Sequence, residues 1–307
     1  MKIKKRILTV GLVGALFLSA CGNGENEKSE DETTTNEIVN YSEAVDYTIT
    51  GIEPGAGISV TTEKAIEEYE NLQGWSVELS STAAMMAELD KAIENEEPII
   101  ITGWNPHWMF AKYPDMKYLE DPKGIYGGKE HIHTMTRKGL EEDMPEAFQL
   151  LSQFEWNVED MEAIMYESNE TGEDIEEVAK NWVAENEGKV AVWTEGVPDV
   201  DGQSIELVST PWDSERASSS VIKEVMEQKG FNVTVTPVDV AIVFESLANG
   251  DADASLAPWL PGTHQSFYEK HQDDIVDLGP NLTGTIIGLT VPAYMDIDSI
   301  EDLEPKE

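Results

Sequence analysis

The chain has 307 residues, of which 20 are basic and 61 acidic, a formal net charge of −41. That balance argues against a nucleic-acid partner and against docking of the folded surface on anionic lipid, since both would be repelled. A single cysteine leaves no disulfide within the chain, and the length is ample for two lobes with cores of their own. The acids are spread along the chain, as in Glu67-Glu68 and Glu141-Glu142-Asp143. Such a surface suits solvation at high salt, where self-repulsion is screened, so a salt-tolerant source is expected.

The N-terminus reads as an address. Lys2, Lys4, Lys5 and Arg6 precede an apolar run from Ile7 to Phe17, which is too short to span a membrane. Leu18-Ser19-Ala20-Cys21 then matches a bacterial lipobox. Residues 1–20 are expected to be a signal peptide, with Cys21 lipidated after cleavage. Residues 21–43, rich in Asn, Glu, Ser and Thr, read as a flexible acidic tether.

Two segments with the same order of elements follow. In the first, Thr48 to Ile52 is a strand and 53–58 a glycine-rich turn. Glu63 to Tyr69 is a helix and Trp75 to Leu79 a strand. Ala83 to Glu94 is a helix with Met85, Met86, Leu89, Ala92 and Ile93 on one face, and Pro98 to Thr102 closes the unit as a strand. In the second, Ile205 to Ser209 is a strand, 210–214 a loop and Ala217 to Lys229 a helix. Val233 to Pro237 is a strand, Val240 to Asn249 a helix and Ala254 to Ala257 the closing strand. This alternation predicts two α/β lobes with largely parallel sheets, and ligands of such sheets sit at the carboxyl ends of strands.

Each closing strand runs into a tryptophan two residues before a proline: Gly103-Trp104-Asn105-Pro106-His107-Trp108 and Pro258-Trp259-Leu260-Pro261-Gly262-Thr263-His264. Large indoles at matching strand ends predict aromatic walls facing a cleft. Ring faces suit cations that offer no hydrogen-bond donor, above all quaternary ammonium groups. Glu130-His131-Ile132-His133 puts two imidazoles on one face of a strand, a metal-like spacing without a further ligand cluster. No metal, cofactor or catalytic residue is expected. The sequence lacks Gly-Xaa-Ser-Xaa-Gly, which weighs against the competing reading of a lipid-anchored hydrolase.

The motifs at 51–58, 101–110, 211–215 and 257–264 resemble those of glycine betaine-binding lipoproteins, the receptors of osmoprotectant ABC importers. The resemblance spans roughly residues 46–303. It implies a periplasmic-binding-protein-like α/β fold of type II, two-lobed with permuted lobe order. Lobe 1 would comprise 44–130 plus 285–307 and lobe 2 would comprise 131–284, with ligand in the cleft between them. It implies that Trp104, Trp212 and Trp259 cage a trimethylammonium group. The backbone amides of Gly57 and Ile58, with His264, would hold the carboxylate. The implied partners are a small zwitterionic ligand, glycine betaine, and ABC permease and ATPase subunits. The membrane is met through the lipid anchor only, and the chain is expected to be a monomer. Receptors for choline, carnitine or a metal are the alternatives. Asp213 and Glu215 are expected to cap a helix from 216, and His107 to cap the helix after it. Protonation of His264 is expected to hold or strengthen binding as pH falls from about 8 to 6.

Overall fold

Short β-branched runs separated by amphipathic stretches build parallel strands with crossover helices, and the computed structural model describes this arrangement for residues 39–307. The signal-peptide and Cys21 readings lie outside the described residues. The expected tether is shorter at its end. Asn40 caps a helical turn at Tyr41–Ala44, and Tyr41 packs against the core.

β1 (Thr48–Gly51) lies between β2 (Ser76–Leu79) and β3 (Ile101–Asn105), all parallel. β4 (Met116–Tyr118) and β5 (Glu130–Arg137) follow. β6 (Ser204–Ser209) then lies between β7 (Asn232–Pro237) and β8 (Ala254–Ser255), again parallel, so the order 2-1-3 recurs as 7-6-8. β9 (Trp259–Leu260) pairs with β5, and β10 (Ile275–Pro292) joins the two parallel sets. The complete path is β2-β1-β3-β10-β5-β8-β6-β7. The first half of β10 runs antiparallel to β5 and the second half antiparallel to β3. The change of partner falls between Thr285, opposite Glu130, and Ile286, opposite Asn105.

The duplication extends to register. Ile287 stands opposite Trp104, and Ile132 opposite Trp259. Each indole thus leaves the sheet beside an isoleucine on an antiparallel neighbour.

The helix Thr82–Asn95 matches its predicted apolar face, with Met85, Met86, Leu89 and Ala92 buried and Ser81 as N-cap. Two other helices begin earlier than their periodicity predicts. One is Gly57–Glu68 and the other Asp213–Gln228. Their first turns contain Gly and polar residues that show no apolar period. Tertiary contacts, not propensity, extend them into the cleft.

The segment between β5 and β6 is helical. Its main elements are Pro145–Gln153, Val158–Thr171, Ile175–Glu185 and Glu187–Trp193. Asn157 and Asp174 cap the second and third through side-chain bonds to Asp160 and Glu176 amides. Beyond β10 the chain returns to the side of β1–β3. The Trp75 indole donates to the Glu304 carbonyl at 2.8 Å, and the Lys306 amide to the Gln73 carbonyl at 2.8 Å. No described helix is long and apolar enough to cross a membrane.

A candidate ligand pocket lined by three tryptophans

The strand ends converge on one open pocket of about 310 Å³, solvent at its mouth included. Trp104 reaches it from the end of β3, Trp259 from β9 and Trp212 from the residue preceding the helix Asp213–Gln228. Gly57, Ile58 and His264 line it as well, so all six non-covalent site residues singled out in the sequence border the same space. Ile52, Ala56, Thr263 and Ile287 complete the lining. The first two belong to the glycine-rich motif; Ile287 carries no signal in the sequence and is placed by register alone. Trp104 and Trp259 are 5% and 3% exposed. The Trp212 ring stacks on the His264 imidazole at 5.8 Å between centroids, with 25° between planes.

The cavity also meets the start of the helix Gly57–Glu68. Its first backbone bond runs from the Val60 amide to the Ala56 carbonyl, at 3.1 Å. The Gly57 and Ile58 amides precede that bond and lie where the helix dipole is positive, a combination that favours an anion. Gly57 is more than a turn residue. A Cβ there would lie 2.3 Å from Thr263 Cγ2 and 2.7 Å from the Thr263 carbonyl oxygen. The loop after β9 therefore presses against the helix start.

His264 sits in that loop, fully buried. Its Nδ1 accepts the Trp259 amide at 2.9 Å. The proton of the neutral ring must then be on Nε2, which has no hydrogen-bond partner among the described residues. His107 repeats the arrangement: fully buried, Nδ1 accepting the Met109 amide at 3.2 Å, Nε2 without a partner. It caps the following helical turn as expected, but it does not line the cavity. Both motifs carry a cis X-Pro bond, at Asn105-Pro106 and Leu260-Pro261.

Burial pushes both imidazoles down from 6.5 to about 3. This overturns the expected strengthening of binding between pH 8 and 6. His264 stays neutral there, and protonating Nδ1 would break its bond to Trp259. The same shift bears on stability. The unfolded chain takes up protons on these imidazoles through about pH 6.5, and the folded chain only near 3. Stability is therefore present above 6.5 and is lost as pH falls below it, by about 1.4 kcal/mol per imidazole per pH unit. Glu215, raised from 4.5 to about 7, acts oppositely and offsets one of the two between 6.5 and 4.5. Melting of the unliganded protein is expected at lower temperature at pH 4.5 than at 6.5. The fall should be shallower in His107→Gln and in His264→Gln.

A second set of side chains holds the walls. Glu215 and Asp213 do not cap a helix from 216. The helix begins at Asp213, and neither side chain bonds its end. Glu215 is fully buried and accepts the Trp259 indole N–H at 2.7 Å, while Ser214 Oγ donates to its other oxygen at 2.6 Å. Asp213 accepts the Trp108 indole N–H at 2.8 Å. Asn105 Nδ2 donates to Glu162 at 2.7 Å. Glu130 is not a metal ligand in waiting. Its carboxylate accepts the Thr263 amide at 2.7 Å and pins the loop that carries His264. A Cβ on Gly262 would fall 1.9 Å from Glu130 Oε1, so a side chain there would displace the carboxylate. His133 is held by Asp277 at 2.9 Å. Among the described residues no three His, Cys, Asp or Glu side chains group as a metal site.

Similarity to known proteins gives the family. The family described as the substrate binding domain of ABC-type glycine betaine transport systems matches residues 27–185 and 203–307. The glycine betaine/carnitine transport binding protein GbuC of Listeria monocytogenes is 45% identical over 98% of this chain and 99% of its own length. Among solved structures, lactococcal OpuAC in its closed-liganded conformation with glycine betaine is 44% identical over 49% of this chain, with a TM-score of 0.44. The glycine betaine, L-proline-binding protein ProX of Borrelia burgdorferi is 32% identical over 50%, with a TM-score of 0.48. Each of these two superpositions spans 58% of the solved chain. The chain therefore belongs to the family of substrate-binding domains of ABC-type glycine betaine transport systems, extracytoplasmic receptors of type II α/β fold rather than enzymes.

Proposed function

We propose that this receptor captures glycine betaine, with carnitine as a second ligand, and delivers it to the permease and ATPase subunits of its importer. The observation that carries the reading is the division of one cavity into two chemistries. Three indole rings line it, and so do donors: the His264 Nε2–H has no acceptor among the described residues, and the Gly57 and Ile58 amides precede the first helical bond. A zwitterion with a trimethylammonium head and a carboxylate tail needs that division. Ring faces and water exclusion hold the head, at about 1–2 kcal/mol per desolvated face. The Gly57 and Ile58 amides and the Nε2–H of His264 hold the tail.

Residues 44–130 with 285–307 would form one lobe and 131–284 the other, with closure around the change of partner on β10. Lipidation of Cys21 would tether a monomer to the outer face of the membrane.

Isothermal titration with glycine betaine, carnitine and choline tests the assignment. Choline lacks the carboxylate and is expected to bind far more weakly. His264→Ala should lose roughly 1.5–3 kcal/mol for glycine betaine, the range for hydrogen bonds to charged groups. Because the ring stays neutral, the ratio of wild-type to variant affinity should hold constant from pH 8 to 5. Choline binding as tight as that of betaine, with no loss in His264→Ala, would move the chain to another class of amine receptor.

A further inference from the structure

Glu215 is a fully buried carboxylate held against a cavity wall, and it does not line the cavity itself. It meets the edge of the Trp259 ring, with Oε1 2.7 Å from the indole nitrogen. Arg216, the adjacent base, pairs with Asp213 at 3.5 Å and leaves Glu215 without it. A buried carboxylate without a counter-ion is costly to ionise. Its position in the first turn of a helix and two donated hydrogen bonds relieve only part of that cost. A cation in the cavity, on a face of the same indole, would supply the missing charge.

We propose that Glu215 is a positioning and specificity-determining residue: by accepting the Trp259 N–H it fixes that ring, enriches its face in electron density and makes the pocket prefer a positively charged head over a neutral one of the same shape. This rests on the cage reading above.

Burial raises the Glu215 carboxyl to about 7, so the empty pocket holds it partly protonated at neutral pH and a bound cation favours the ionised form. Other titratable or charged groups surround it. Asp213 and Arg216 share its helix, and His107 lies 3.9 Å from Asp213. His264 and Glu130 flank the Trp259 loop. Any of these that titrates would keep its step when Glu215 is replaced, so one substitution isolates the contribution of Glu215.

Glu215→Gln keeps the shape and an acceptor for the indole while removing the charge. Affinity for glycine betaine and for 3,3-dimethylbutanoate, its uncharged-head isostere, is measured from pH 5.5 to 8.5. Wild-type affinity for betaine is expected to fall as pH drops through about 7. The variant should bind betaine about tenfold more weakly at pH 8, with a flat profile, and should bind the isostere at least as well as wild type does. Wild-type affinity and profile in the variant would overturn the proposal and leave the cage intact. Equal losses for both ligands with the pH step retained would reduce Glu215 to a structural role and also overturn it. Absence of betaine binding by wild type would overturn the cage reading with it. Should Glu215→Gln fail to fold, Glu215→Asp retains the charge and must retain the pH step, and its loss overturns the proposal.

Discussion

Replacing Trp104, Trp212 or Trp259 by Ala is expected to weaken glycine betaine binding at least about tenfold in each case, and any pair of replacements should abolish it in a calorimetric titration. The single losses combine a missing ring face with water admitted to the cavity. Trp259→Ala should be the most severe, since it also strands Glu215 without its donor. Trp212, only partly buried and stacked on His264, should be the mildest. Phe in any of the three positions keeps a face and should cost less, except at Trp259, where the N–H to Glu215 disappears. Three folded Ala variants with wild-type affinity would end the cage reading.

Gly57→Ala should cost as much or more by a different route. The backbone tolerates a side chain, because Gly57 does not have positive φ and opens a helix. The methyl group would instead meet Thr263 Cγ2 at 2.3 Å. The helix start and the His264 loop would have to separate, and the carboxylate donors would no longer converge. A fall in affinity on the order of a hundredfold is expected, with a lower melting temperature of the unliganded protein, since the clash is present without ligand. Trimming the neighbour in Gly57→Ala/Thr263→Ser should restore part of the binding. A single variant that binds normally would mean that the loop yields freely at this contact.

What was legible in the sequence follows from how locally each feature is encoded. Thr48 to Gly51, Val240 to Asn249 and the face of Thr82–Asn95 carry period and caps within themselves, and they were read close to their true bounds. The Trp-Xaa-Pro repeat was legible because two rare residues recur at fixed spacing. The helices from Pro145 to Trp193 lie outside the two repeated segments, although Asn157, Asp174 and Gly172 punctuate them as caps. β10 was hidden by Gly279, Pro280 and Gly284, whose bulges break the alternation that marks a strand. The supporting carboxylates were the hardest to see. Glu130 and Glu215 look like any of the 61 acids until the fold buries them against Thr263 and Trp259. The pH behaviour of His264 was misread for the same reason: an imidazole's surroundings, not its type, set its proton affinity.

The double allegiance of β10 also bears on synthesis. The strands β5 to β9 and the first half of β10 form a contiguous stretch of chain, so their sheet can assemble as soon as Thr285 has emerged on the outer side of the membrane. The set β1–β3, made much earlier, lacks its antiparallel neighbour until Ile286 to Thr290 follow. It also lacks the C-terminal contacts to Trp75 and Gln73 until Lys306 is added. The earlier set of strands is thus finished after the later one, and its open strand edge must be kept from pairing with other chains until those residues follow.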